Sequence, residues 1–505
     1  MNRGHLTLVI VALLLVALAW QQARSAQTGL VVRSLSRDGA PMLYVAPAGA
    51  QGAPAVLVAH GFAGSKQLML GYGYTFAHAG YAVLLWDFGG HGANGQPLQR
   101  DSLQRDIDRA YAVLLEQPEV DGKRVALLGH SMGSGAVMAA GIKDPERYAA
   151  VVAISPTGAS VTPTAPRNLL LQGGSWEGQF VANARRLLAA AGGPNEDFAG
   201  GMARRLVVIP NAEHISILFR LESHQASLDW LDRTFGQQRA SAYADRRILW
   251  YLLHLAAWLL LALAAAPLLR GWAVGRFAKS SYRRPWLAWL GLALGPLIAG
   301  GILAGLNRIT PMATFGGIQV GGAVGLWLAA AGLVWLGMTR SGGRPQQEAS
   351  ALGPAPEKTG RAISARARTV ALGLGLFILL SVAFGVMAQG VWVQWWLIPP
   401  RLLRWPLLAL LSLPFFLAAG RVTQGASAGW RVAWWLGQSA GLVGGLFLAL
   451  ALVPSLGFLV LLMPLLPVIL GILAITATAF DRPWAYGLGG AMFFGWVIAA
   501  VFPLA

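Results

Sequence analysis

Cysteine is missing altogether from this 505-residue chain. Its absence excludes disulfides, thiolate metal sites and a cysteine nucleophile. Charge is scarce as well: 12% of residues are charged and 55% are hydrophobic, a balance too apolar for an ordinary soluble protein. Acid is the scarcest commodity, and it is unevenly spread. Of 21 acidic residues, only Asp245, Glu348, Glu357 and Asp481 lie beyond residue 240, and none precedes residue 27. Residues 27–240 therefore hold 17 acids against 18 Lys and Arg, close to neutral, whereas the rest of the chain sets 21 basic residues against 4 acids. Almost all of the net charge of +18 thus belongs to the apolar part. Basic residues between hydrophobic spans fix orientation in a membrane, so the charge is not read as nucleic-acid binding.

What is present falls into three parts: residues 1–26, 27–240 and 245–505. The opening "MNRGHLTLVIVALLLVALAW" carries one arginine and then a long apolar run, the pattern of a signal peptide or an uncleaved membrane anchor. Ala23 and Ser25 are small residues placed to suit a cleavage site, while Arg24 and the length of the run argue for an anchor. From Ile248 onward, apolar stretches near the bilayer-crossing length of about 20 residues recur. They lie near 248–269, 285–305, 319–338, 369–389, 405–420, 432–453, 456–478 and 484–503, with Pro414 making the fifth the weakest. Alternate loops carry most of the basic residues, including Arg276, Lys279, Arg283, Arg284, Arg344, Lys358, Arg361 and Arg366. The opposite loops keep only Arg308, Arg401 and Arg404. This asymmetry predicts a cytoplasmic-membrane protein with residues 27–240 outside the cytoplasm. The Gly-, Pro- and Ala-rich stretch near 339–368 reads as a cytoplasmic linker.

Residues 27–240 alternate short β-branched runs with amphipathic segments. "AVLVAH", "YAVLLWD", "RVALLGH", "AVVAIS", "NLLLQG" and "RLVVIP" read as buried strands, with helices expected near 65–79, 101–117, 131–142, 178–191 and 215–235. Continuous apolar strands separated by helical patterns predict a mostly parallel sheet covered on both faces. An all-α membrane region then follows.

The stretch "VALLGHSMGSG" (125–135) places Ser131 between glycines, after a strand and before a helix. Such a turn projects the hydroxyl above the sheet edge, where the helix N-terminus favours negative charge. A serine needs a base, normally a histidine held by a carboxylate. His214 in "LVVIPNAEHISILF" follows the last expected strand, and Glu177 lies in the loop ending "NLLLQGGSWEGQF", in the chain order expected of a serine–acid–histidine site. "VLVAHGFAG" (56–64) ends a strand in a loop whose Phe62 amide, with that of Met132, is placed to stabilise an oxyanion.

"HGFAG", "DFGGHG" (87–92), "GHSMGSG" and "NAEHIS" together resemble the α/β-hydrolase superfamily, in the lineage of small serine esterases and dienelactone-hydrolase or prolyl-oligopeptidase-like proteins. The resemblance covers residues 30–236. It implies Ser131 as nucleophile and His214 as base. One position departs from it. Many relatives carry Asp three residues after the glycine ending strand seven, where this chain has Trp176 after Gly173. Glu177 is taken as the acid, with Asp197 in reserve.

Asp87 and His91 are expected to order their loop, His60 to support it, and His130 and Ser134 to pack. His254 is expected to be an isolated intramembrane imidazole. Only about ten residues separate "AVVAISP" from "NLLLQG", where many relatives insert a helical lid. These features predict a membrane-anchored serine hydrolase acting on a small-molecule or lipid acyl ester or thioester, without metal or organic cofactor and without nucleic acid. Hydrolysis of an amide, as in a peptidase, or acyl transfer to an acceptor other than water would use the same residues. The alternative is a transport or lipid-handling protein whose outer domain only binds.

Overall fold

Alternation along the apolar runs decides where each strand side chain goes. In a computed structural model, which describes residues 3–99, 102–272, 285–341, 365–476 and 482–505, the run Ala53–Ala59 buries Ala55, Leu57 and Ala59 on one face of a sheet and Val56 and Val58 on the other. Eight strands make this sheet: β1 (Leu30–Arg37), β2 (Ala40–Pro47), β3 (Ala53–Ala59), β4 (Ala82–Trp86), β5 (Val120–His130), β6 (Ala150–Ile154), β7 (Leu169–Gly174) and β8 (Arg204–Ile209). Their spatial order is β1-β2-β4-β3-β5-β6-β7-β8. β1 and β2 pair antiparallel, as do β2 and β4; every other pair is parallel. The β1–β2 hairpin is absent from the sequence-based expectations. Its turn is Asp38-Gly39, both at positive φ, which matches the twist of a two-residue hairpin.

The helices complete an α/β-hydrolase fold. α1 (Arg3–Ser25) precedes the sheet, and α2 (Leu70–His78), α3 (Ser102–Leu115), α4 (Met132–Lys143), α5 (Gly178–Ala190) and α6 (Leu221–Phe235) follow its strands. α3, α4 and α5 send Ile107, Val137 and Leu187 into the core on one face; α2 and α6 send Phe76 and Trp230 into the other. Each such side chain contributes about 1.5–3 kcal/mol by leaving water. The compact unit so formed comprises Leu18–Leu252, Met387–Ile398 and Ala500–Ala505. The two later segments are tied in by hydrogen bonds: Gln67 Nε2 donates to Gln394 Oε1 at 2.7 Å, and Leu504 N to Gly90 O at 2.8 Å.

A second unit comprises Met1–Ala17, Leu253–Val386 and Pro399–Ala499. Its helices continue the count as α7 (Arg247–Trp272), α8 (Pro285–Asn307), α9 (Gly321–Ser341), α10 (Ala365–Leu380), α11 (Pro399–Leu402), α12 (Trp405–Thr423), α13 (Ala428–Leu452), α14 (Leu465–Thr476) and α15 (Pro483–Val501). Among the described residues, eight helices, α1 included, are long and apolar enough to cross a membrane, and a pair bent by 46° (Pro454–Leu462 with α14) makes a ninth candidate. Pro464 stands at that bend and accounts for it. Each of the eight apolar runs read beyond residue 248 coincides with one of these helices or the bent pair. Most of the expected linker, residues 342–364, lies outside the described residues, as do Arg276, Lys279, Arg283 and Arg284.

Close packing in this unit uses small residues and indole N–H groups. A Cβ on Gly295 of α8 would come within 2.7 Å of the Ala331 carbonyl on α9, so only glycine permits that approach. Trp327 and Trp335 donate to the carbonyls of Pro296 and Ala288 at 3.0 and 2.8 Å, and Trp289 stacks on Trp434 at 3.9 Å.

Candidate active site

Every residue of the candidate site lies at or just beyond the C-terminal end of a parallel strand. The chain runs from β3 outward to β4 and then returns to β5 on the opposite side of β3, and a crevice opens where the strand order reverses. His60–Gly64 leaves β3 and Ser131 leaves β5, so the loop and the turn meet at that crevice.

Ser131 is held at φ 53° and ψ −119°, left-handed backbone that a serine adopts only when its surroundings impose it. The flanking glycines make this possible by removing side chains. A Cβ at Gly129 would lie 2.3 Å from the Gly133 carbonyl oxygen, and one at Gly133 would lie 2.5 Å from that of His60. Ser131 N donates to Ile154 O on β6 at 2.9 Å, and Ser131 O accepts from Ser134 N at 2.9 Å and from Ser134 Oγ at 2.5 Å.

The structure brings Ser131, His214 and Glu177 together. Ser131 Oγ lies 3.0 Å from His214 Nε2, and His214 Nδ1 lies 3.0 Å from Glu177 Oε2. Glu177 is 6% exposed, and its other oxygen accepts from Ser155 Oγ at 2.9 Å and Gly174 N at 3.0 Å. Because the carboxylate accepts, Nδ1 of His214 carries the proton and Nε2 turns a lone pair toward the serine. Phe180 stacks on the imidazole at 4.4 Å and limits its rotation. The reserve acid, Asp197, instead caps its own turn by accepting from Gly200 N at 2.7 Å. Trp176, at the position where many relatives have Asp, projects outward and is 69% exposed.

Two expectations change. His130 does more than pack: its Nε2 donates to the His214 carbonyl at 2.9 Å, tying the loop that bears one histidine to the turn that bears the serine. Burial first, and the neighbouring His214 second, hold the His130 imidazole well below its ordinary pKa, so it stays neutral. Ser134 joins the network noted above and accepts from Thr157 N at 3.0 Å.

The loop after β3 runs directly over the serine turn. A Cβ on Gly61 would meet His130 Nδ1 at 2.9 Å and Ser131 Cβ at 3.0 Å. Phe62, next in line, is 9% exposed, and Met132 opens α4, so its amide has no acceptor within the helix. A buried ion pair fixes this loop: Asp87 accepts from Lys66 N at 2.8 Å, Lys66 Nζ at 2.5 Å and Ala93 N at 2.9 Å. Burial alone raises the Asp87 pKa, but Lys66 and His60 outweigh it and hold the carboxyl below its usual value. His60 Nδ1 donates to Gly61 O at 2.7 Å and Nε2 accepts from Phe88 N at 3.1 Å. Asp87 and His60 thus order the loops, as the sequence suggests. Lys66 and Ser155 went unnoticed there, since neither lies in a spacing motif.

Residues 51–190 match the family model described as "Serine aminopeptidase, S33". An uncharacterized protein of Mycobacterium tuberculosis (strain CDC 1551 / Oshkosh) is 32% identical over 162 residues, covering 30% of this chain and 57% of that protein. The chain thus spans little more than half the length of that relative. Epoxide hydrolase A of M. tuberculosis (strain H37Rv) is 35% identical over 117 residues, 22% of this chain and 35% of the enzyme. Among solved structures, a putative dienelactone hydrolase from Klebsiella pneumoniae aligns with TM-score 0.33 and 16% identity, covering 40% of this chain and 98% of that chain.

Proposed function

We propose that this chain, a hydrolase fold joined to helices apolar enough to span a membrane, is a membrane-anchored serine esterase or thioesterase that works outside the cytoplasm through an acyl-enzyme. The observation that carries the reading is the unbroken chain from Ser131 Oγ to His214 to Glu177, each link at 3.0 Å. His214 Nε2 removes the Ser131 proton as Oγ attacks the substrate carbonyl. Glu177 stabilises the imidazolium, and the amides of Phe62 and Met132 receive the negative charge on the carbonyl oxygen. The imidazolium then gives its proton to the departing alcohol or thiol. Water, deprotonated by the same histidine, then attacks the acyl carbonyl; the bond to Ser131 Oγ breaks, the acid leaves, and the imidazolium returns its proton to Oγ.

An ester is favoured over a free peptide N-terminus by the carboxylates around the site. An aminopeptidase needs an anion for the substrate ammonium. Glu177 is engaged with His214, Ser155 and Gly174, Glu213 with the amides of Ile215 and Ser216, and Asp87 with Lys66. The outward orientation rests on the basic loops of the sequence.

Membranes containing the full chain, treated with a fluorophosphonate probe, test the reading. Labelling of the wild type that disappears in Ser131→Ala supports it, and a panel of acyl esters, thioesters and aminoacyl amides then ranks the leaving groups. A wild type that takes no label leaves the sheet unit as a binding module. Cysteine introduced at position 350 stays unreactive to impermeant maleimide in intact cells if the orientation is right.

A further inference from the structure

A cavity of about 400 Å³ lies in the sheet unit where the chain enters and leaves it, between the end of α1 and the start of α7. Gln22, Ser25, Tyr243, Arg246, Arg247 and Trp250 line it. None of these takes part in the acyl chemistry above. The charge in its wall is not balanced. Arg247 is satisfied: it donates to both oxygens of Asp245 at 2.8 and 2.6 Å and to Gly390 O at 2.9 Å. Tyr243 OH also donates to Asp245, at 3.2 Å. Asp245 is thereby committed, and Arg246, exposed beside it, forms no ion pair among the described residues. Nearby on α1, Arg24 lies over the Trp20 ring at 5.2 Å. A polar cavity with an arginine in excess suits an anion, and the side-chain amide of Gln22 supplies a further donor.

The surroundings choose the kind of anion. Leu18 on α1 and Leu249 and Leu252 on α7, within the same unit, are 39%, 57% and 53% exposed. Trp20 follows Leu18 by two residues on α1 and Trp250 lies between Leu249 and Leu252 on α7, and tryptophan is enriched where membrane meets water. A free phosphate would use the polar half alone.

We infer that this cavity binds the headgroup of an anionic glycerophospholipid, with Arg246 as counter-ion to the phosphodiester and the acyl chains lying along Leu18, Leu249 and Leu252. The inference rests on the membrane placement proposed above but not on the hydrolytic reading. It predicts preference for phosphatidylglycerol over phosphatidylcholine, because the lining offers no uncommitted carboxylate to a quaternary ammonium.

The test uses the full chain in mild detergent, offered equal amounts of phosphatidylglycerol and phosphatidylcholine and weighed intact by native mass spectrometry. The wild type should retain phosphatidylglycerol preferentially. Arg246→Glu should lower that retention by about tenfold, as expected when one charge-assisted contact is lost and replaced by repulsion. Arg185→Glu, on the exposed side of α5, is the control for net charge and should leave it unchanged. Equal thermal midpoints of both variants show that they are folded. Equal retention of the two lipids, or a preference that Arg246→Glu leaves intact, overturns the inference. So does a site that inorganic phosphate fills as well as phosphatidylglycerol does, since the occupant is then a free anion. Fluorophosphonate labelling on the same samples reports separately on the catalytic reading.

Discussion

The two units of this chain handle buried polarity in opposite ways. In the sheet unit charges are taken inside and committed to partners: Lys66 to Asp87, Arg109 to Asp106, Arg247 to Asp245, and His214 to Glu177. In the helical unit no Asp or Glu occurs among the described residues. Buried polar groups there turn to backbone carbonyls, as Trp327, Trp335 and Thr476 do, and the guanidinium of Arg401 donates to the carbonyl of Ala499. A proton can be taken up and returned only where an acid or imidazole is held in a polar frame. The difference teaches that the carboxylate–imidazole pairing the candidate site needs is found, among the described residues, in the sheet unit, while helices apolar enough to cross a membrane satisfy their buried polar groups on backbone carbonyls.

The largest way to break this contrast is at Ser131. Ser131→Ala should lower ester turnover by about 10⁴-fold or more, measured as kcat/KM on a chromogenic ester. Residual turnover close to wild type would place the nucleophile elsewhere. Next comes Glu177→Gln, which keeps the shape and removes the charge; turnover should fall about 10³- to 10⁴-fold. Adding Trp176→Asp should not restore it, because the side chain at 176 points outward. Asp87→Ala should cost about 3–5 kcal/mol of stability by stranding the buried Lys66 ammonium, read as a drop in thermal midpoint.

His130 sharpens the contrast further. His130→Ala should reduce kcat about 10- to 100-fold, the effect of a lost buried hydrogen bond worth about 1–3 kcal/mol, and His130→Gln, which keeps a donor, should recover much of it. The same residue bears on pH. His60, His130 and His224 are buried and held below their ordinary pKa. Below about pH 6.5 the unfolded chain takes up protons that these folded imidazoles refuse, so stability falls as the pH falls from 6.5 toward 5. The thermal midpoint should decline over that window, and less steeply in His130→Gln. A midpoint that rises on acidification contradicts this account. The smallest effect is expected across the divide: His254→Phe, in the helical unit, should leave turnover within about twofold.

Much of this was legible in the sequence. The parallel strands were visible because a strand buried on both faces must be apolar throughout, and the apolar spans because lipid requires length. Ser131 was marked by its glycines. The hairpin Leu30–Pro47 was missed because β1 sits at the sheet edge with a half-exposed face, which leaves "LVVRSLSR" without a clear period; its Asp38-Gly39 turn was the available signal. Lys66 and Ser155 escaped for another reason. Lys66 resembles any surface lysine until Asp87, 21 residues on, is folded against it, and Ser155 acquires its role only when β6 and β7 lie side by side.

The central claim is that Ser131 carries the acyl group during turnover. Rapid acid quenching of the full chain with a slowly hydrolysed acyl ester, followed by peptide mass analysis, tests it most directly. The account predicts the acyl mass on the peptide containing Ser131 and on no other. Continued turnover with that peptide unmodified, or with the acyl group on a different residue, would contradict it.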